Sequence, residues 1–145
     1  MAKFYETIEH TADLGIRVWG KDEKELFINA AKAFFDCITD LEAIRPRREF
    51  QVSVKGESLE ECLFNWLDEL LFLFDAKGIL VADCVLKMER AIDQPKAYEI
   101  QAICKGERFD PERHPLKAAI KAVTYHNLEV TNKGNLYEAE VLFDI

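Results

Sequence analysis

Residues 13–38, DLGIRVWGKDEKELFINAAKAFFDCI, change their hydrophobic period partway along. Leu14, Ile16 and Val18 alternate, which puts apolar groups on one side of an extended strand. From Leu26 the spacing lengthens. Leu26, Phe27, Ala30, Ala31, Phe34, Phe35 and Ile38 recur at threes and fours, which makes one apolar stripe on a helix. Asp22 stands where the N-cap belongs, and Glu25 three residues on completes a capping box. A strand that delivers the chain directly into an amphipathic helix sets the pattern for everything around it.

Upstream, residues 4–9 read as a second short strand, joined to the first through the polar turn His10-Thr11-Ala12-Asp13. Downstream, Phe50, Val52 and Val54 alternate as a strand, and Ser58 with Glu61 opens a second helix by the same capping logic. Its core face is Leu59, Cys62, Leu63, Trp66, Leu67, Leu70, Leu71 and Phe74. Phe64 and Phe72 lie off that stripe, so the helix is expected to be covered on two sides, a partner surface being the alternative. Residues 79–88 and 97–104 read as strands joined by Asp93-Gln94-Pro95-Lys96. After the polar run Gly106 to His114, Pro115 suits the first position of a short third helix with Leu116, Ala119, Ile120 and Val123 inward. Strands at about 125–131 and 136–144 flank the hairpin turn Asn132-Lys133-Gly134-Asn135.

Three helices against hairpin-rich sheets predict an α+β fold in which a strand–helix–strand–strand order occurs twice. No low-complexity stretch or linker divides the chain. The expectation is a single domain over residues 1–145, with about 48–90 an inserted strand–helix–strand module.

A chain of 145 residues, 49% apolar and 32% charged, has the means to form one core, burying on the order of 70% of its extended surface. No apolar run reaches the length of a membrane span, and the first residues lack the pattern of a signal peptide, so the expected location is the cytoplasm, without membrane contact. The net charge of −8 argues against a basic stripe for nucleic acid. Arg45-Pro46-Arg47-Arg48 is the densest basic run and reads as a solvated loop, so RNA is expected to be reached only indirectly. Cys37, Cys62, Cys84 and Cys104 lie twenty or more residues apart in apolar patterns. They read as small buried hydrophobes rather than a zinc or redox site.

No phosphate loop, nucleophile elbow or H-E-x-x-H helix is present. Chemistry is instead suggested at the chain end, where Val141, Phe143 and Ile145 alternate to the last residue. Packing of Ile145 into the core would fix the terminal carboxylate beside Asp144, and Asp13 at its turn could supply a third oxygen. Such a set suits a hard cation, calcium or magnesium, and not zinc. On spacing alone the commoner outcome is that Asp13 caps its turn and Asp144 is solvated at a frayed terminus. His10, His114 and His126 could form a zinc site, against the commoner roles of capping and core hydrogen bonding. Lys121, four residues before Tyr125-His126, is a further candidate.

As a set these residues are familiar. Glu9-His10-Thr11-Ala12-Asp13-Leu14-Gly15 resembles the opening motif of the archease family, and Asn65-Trp66-Leu67-Asp68-Glu69-Leu70-Leu71 its second-helix motif. Gly106-Glu107, His114 and residues 120–126, IKAVTYH, are similar to its third, and Phe143-Asp144-Ile145 to its last, in order along nearly the whole chain. Leu14 and Asp68 fall where relatives vary. The resemblance implies a non-catalytic activator of the RtcB-type RNA ligase of tRNA splicing, promoting GTP-dependent guanylylation of the ligase and its multiple turnover. It implies a divalent-metal site at Asp13, Asp144 and the terminal Ile145, and a functional position at Lys121. The rival expectation is a chaperone-like modulator of another RNA-processing enzyme, such as a tRNA methyltransferase.

Overall fold

The structure, a computed structural model, describes residues 4–10, 13–90 and 97–145, with Glu9 and His10 described by their backbone. The turn residues Thr11-Ala12 and Asp93-Gln94-Pro95-Lys96 lie outside the described residues. The first strands are β1 (Tyr5–His10) and β2 (Asp13–Gly20). The helix α1 (Glu23–Ile38) begins where its capping residues stand: the Asp22 carboxylate accepts the Glu25 N–H at 2.8 Å. Glu25 reaches back one residue further than the cap, to the Lys21 N–H at 3.1 Å. The stripe from Leu26 to Ile38 is buried, and a 3-10 turn (Leu41–Ala43) leads to β3 (Arg48–Gly56). In α2 (Leu59–Lys77), Ser58 Oγ accepts the Glu61 N–H at 3.1 Å, repeating the device. That helix stops at Gly78, whose φ of +65° belongs to a residue without Cβ, and whose N–H closes on Phe74 O at 2.8 Å.

The long hairpin strands β4 (Ile79–Arg90) and β5 (Tyr98–Arg108) follow, then β6 (Ala122–Val123), β7 (Glu129–Asn132) and β8 (Tyr137–Asp144). All pairings are antiparallel. One sheet runs β1-β2-β8, with β6 and β7 pairing successively along the other edge of β8; the second runs β3-β5-β4. The helices lie between the sheets, α1 against β2 and β4, α2 against β3 and reaching β6 and β7. The result is an α+β fold. The contiguous set β3-α2-β4-β5 sits inside an outer set, β2-α1 with β7-β8, that the chain completes only at its end. The sandwiched core is continuous across both sheets. Trp66 is fully buried at its middle and donates Nε1–H to Phe27 O at 2.9 Å, tying one helix to the other.

The third helix does not form. Residues 109–121 turn once and then run irregularly, and β6 is strand where helix was expected. Leu116 is 58% exposed and Ala119 is exposed, so the anticipated apolar side does not exist as such, although Ile120 and Val123 are buried. A helix this short is marginal without packing, and here the backbone donors have better partners in neighbouring elements. The N–H of Lys117 goes to Ile38 O at 2.7 Å, that of Lys121 to Asp144 O at 2.7 Å, and that of Thr124 to Leu142 O at 3.0 Å. The expected strand at 125–131 likewise shortens to Glu129–Asn132, because Tyr125–Leu128 make a turn with Asn127 at φ +56°. The off-stripe aromatics of α2 divide: Phe64 is covered, stacked on Tyr125 at 4.1 Å, whereas Phe72 is 53% exposed.

Candidate functional site

Antiparallel pairing of β2 with β8 sets Asp13 directly opposite Asp144. The cause is alternation: Val141 and Phe143 turn inward and are buried, Phe143 meeting Phe34 edge-on at 5.5 Å, so Asp144 turns to the helix-free face. Asp13 takes the same face because its strand neighbours Leu14 and Ile16 face the helices. Cross-strand neighbours carry Cβ atoms about 5 Å apart, where like charges repel. On the other edge Ala122 is the register partner of Asp144, and Lys121 N–H holds Asp144 O. His10 is the backbone register partner of Asp13. Two ends of the chain thus meet at one sheet corner.

Ile145 is not packed into the core as anticipated; it is 46% exposed and continues beyond the paired strand. What holds the terminus is the residue before it, through the pairings with β2 and β6. Lys121 is exposed, and its place beside Asp144 follows from the extended course of 117–121 rather than from a helical face shared with Lys117. Lys117 instead turns to the end of α1, its Nζ 3.5 Å from Asp40 Oδ1.

His114 has a different role. It is buried, its Nδ1 accepts the Asp110 N–H at 2.8 Å, and its Nε2 lies 2.9 Å from Glu107 Oε2. That assignment puts the imidazole proton on Nε2 and leaves no lone pair for a metal. The three-histidine zinc site is therefore not formed: His126 is exposed on the Tyr125–Leu128 turn, its N–H on Thr124 Oγ1 at 3.3 Å. Among the described residues no three side chains of His, Cys, Asp or Glu converge as a ligand group.

Glu107 organises the Gly106–His114 segment. It is buried, and burial alone pushes its carboxyl pKa up. The Arg45 N–H at 2.8 Å, His114 and the Arg113 guanidinium outweigh that and hold it at about 2. The members of this cluster come from the loop before β3, the end of β5 and the segment after it. Its signal in the sequence is the polar run Gly106 to His114, whose Gly106-Glu107 and His114 belong to the third family-like motif.

The remaining candidates are quiet. All four cysteines are buried and free, and burial pushes the Cys37 and Cys62 thiols up to about 12. Such thiols are poor nucleophiles. Cys84 and Cys104 face one another across β4 and β5 with sulfurs 3.6 Å apart. A shallow concavity of about 500 Å³ on the far face of the second sheet is lined by Gln51, Ser53, Val85, Gln101 and Ile103, with Lys87 its one ionisable group.

The chain is similar to known proteins over nearly its whole length. The model of the archease protein family (MTH1598/TM1083) matches residues 5–145. An archease from Methanopyrus kandleri is 38% identical over 141 residues, spanning 97% of this chain and 99% of its own. An archease-like protein of Drosophila melanogaster is 36% identical over 97% of this chain and 90% of its own. The solution structure of Methanobacterium thermoautotrophicum protein 1598 superposes with a TM-score of 0.80 at 30% identity, covering 97% of this chain and 98% of that one. The crystal structure of an archease from Thermotoga maritima, described as a possible chaperone, shares the fold with a TM-score of 0.61 at 22% identity over 97% and 96% of the two chains.

Proposed function

The chain belongs to the archease family, and from that membership we propose that it is a protein activator of the RtcB-type RNA ligase, without catalysis of its own. In this reading it promotes the GTP-dependent guanylylation of the ligase in tRNA splicing and RNA repair, and sustains multiple turnover. It acts in the cytoplasm as one domain over residues 1–145, with an inserted module near 48–90, and meets RNA only through the ligase. Among the described residues no helix is long and apolar enough to cross a membrane.

The observation that carries the reading is the register pair Asp13–Asp144, with Ile145 and the Lys121 main chain alongside. Two carboxylates set face to face on an exposed sheet corner repel each other unless a cation lies between them. The donors are oxygen only and anionic, which fits a hard divalent ion, calcium first, with magnesium or manganese admissible. Asp13, Asp144 and the terminal carboxylate of Ile145 would hold it, and bound there it supplies fixed positive charge toward nucleotide phosphates. The residues of the chain do the rest. β2 and β8 keep the two side chains in register, and the Lys121 N–H anchors the terminal segment. The exposed Lys121 ammonium adds a cation on the same corner. His10, next to Asp13 in backbone register, is a candidate contact at this end of the sheet, His126 on the Tyr125–Leu128 turn is a separate candidate contact, and His114 acts through the loop it buries.

A guanylylation time course with the cognate ligase tests the proposal. The wild-type chain should accelerate the step, and Asp13→Ala should lose most of that acceleration while keeping its melting temperature. Equal rates from two well-folded proteins would remove the acidic corner from the mechanism. The name given to the Thermotoga relative favours a second reading, a chaperone-like modulator of another RNA-processing enzyme such as a tRNA methyltransferase. Recovery of a methyltransferase rather than the ligase on the immobilised chain would favour it.

A further inference from the structure

Arg45, Arg47, Arg48, Arg108 and Arg113 are five of the seven arginines in a chain of net charge −8, and the fold gathers them around the end of β5. Three separate segments contribute. Arg48 is the register partner of Gly106, and the Arg47 N–H donates to Gly106 O at 3.1 Å. The Arg45 N–H and the Arg113 guanidinium both engage Glu107, which adjoins Arg108. Arg47 Nε stands 3.9 Å from the same carboxylate, with its side chain 60% exposed. Arg45, Arg48 and Arg108 are exposed as well. One buried carboxylate therefore pairs with Arg47 and Arg113, the Arg48 guanidinium lies over the Phe50 ring at 5.8 Å, and Arg45 and Arg108 stand exposed beside them. Gly106 lets β4 approach β5 closely at this end, since a Cβ there would lie 1.8 Å from Leu80 O.

The cluster shares an end of the molecule with the acidic corner. From Arg113 the chain reaches Lys117, bonded to Ile38, and then Lys121, bonded to Asp144. Each step is four residues, or at most roughly 14 Å of extended chain. A partner seated on Asp13 and Asp144 thus comes within reach of the arginines.

We propose that this arginine cluster is a docking surface for a carboxylate-rich face of a protein partner. It engages that face through forked guanidinium–carboxylate pairs. Partner chemistry follows from what lies between the arginines. Glu49 sits opposite Lys105, Asp110 lies 3.8 Å from Arg113, and Glu112 is next to it. A continuous polyanion would meet those carboxylates along with the guanidinium groups, and would meet the net negative charge of the whole chain beyond them. A protein surface offers discrete carboxylates that can address single guanidinium groups and leave the acids facing its own cations or water. Ordering an exposed arginine costs rotamer freedom, but its planar fork forms two hydrogen bonds to a carboxylate for each head ordered, and arginine is enriched at protein interfaces. This assignment rests on the ligase reading only for the identity of the partner, not for its chemistry.

Two measurements separate the claims. In the first, arginine Nε–H resonances of the isolated chain are followed by ¹⁵N NMR during titration with a glutamate–aspartate dodecapeptide, or with an oligouridylate of equal charge. The peptide should shift the cluster but not Arg17 or Arg90, and it should shift it more than the oligouridylate does. A larger response to the oligouridylate, or none to either, overturns the proposal. In the second, affinity for the ligase is measured for wild type, for Arg47→Glu with Arg48→Glu, and for Arg48→Glu with Arg108→Glu. Whichever variant keeps the wild-type melting temperature should bind at least tenfold more weakly at low salt, with the gap narrowing as salt rises. Unchanged affinity overturns the proposal for this partner. No binding by the wild type would instead sink the ligase reading, leaving the peptide titration to decide the surface.

Discussion

Glu107 shows how much a single buried charge can organise. Its carboxylate replaces lost water with a main-chain N–H, an imidazole and a guanidinium, drawn from the loop before β3 and the loop after β5. Breaking such a set by removing its charge leaves buried donors without a full acceptor. Glu107→Gln is expected to lower stability by about 3 kcal/mol, read as a fall in urea midpoint. The pH dependence has a definite sign. The folded carboxyl lies at about 2 against an ordinary 4.5, so its stabilisation is complete above about 4.5 and fades as pH falls toward 2. The gap between wild type and Glu107→Gln should close over that acid window; a gap that stays constant would mean that the charge is not what stabilises. Asp13 and Asp144 are by contrast two acidic residues in direct register, and on the proposed reading a bound cation would offset their repulsion.

Among the elements, capping and termination explain why the helices begin and end where they do. Asp22 and Ser58 were readable as caps because their chemistry is local, and both accept the N–H three residues on. Gly78 ends α2 in the left-handed region, where a Cβ strains the backbone but nothing lies within 4 Å to clash with it. Gly78→Ala should therefore cost about 1–2 kcal/mol, from conformation alone, with the fold intact by circular dichroism. No loss would show that the turn relaxes without penalty. The segment 109–121 teaches the converse. Its Pro115 and apolar spacing match a helix, yet three of its neighbours offer carbonyls that the isolated segment cannot know about.

For the molecule as a whole, the order of assembly matters most. The inner set β3-α2-β4-β5 stands between α1 and the strands that complete the first sheet, so residues at positions 13 and 144 meet only when the entire chain is folded. The chain terminus is therefore both the last structural strand and a proposed ligand. Appending a few residues after Ile145 should leave the melting temperature of the metal-free protein within about a degree and weaken calcium binding severalfold. Calorimetry with and without the extension checks this, and an undiminished affinity would reject a role for the terminal carboxylate.

The amino-acid sequence by itself determined the α+β class, the two capped helices, the strand pairs and the hairpin near Gly134, because periodicity, caps and turns are properties of near neighbours. It also marked Asp13, Asp144 and Lys121 as worth watching, through pattern and family resemblance. Only the tertiary structure decided that Asp13 and Asp144 face each other, that 109–121 stays extended, that Ile145 is exposed, and that five arginines converge on one sheet end. Those outcomes depend on strand register and on competition for backbone hydrogen bonds between segments far apart in the chain. Such choices are made by the packed whole, since no local stretch carries the energies that settle them.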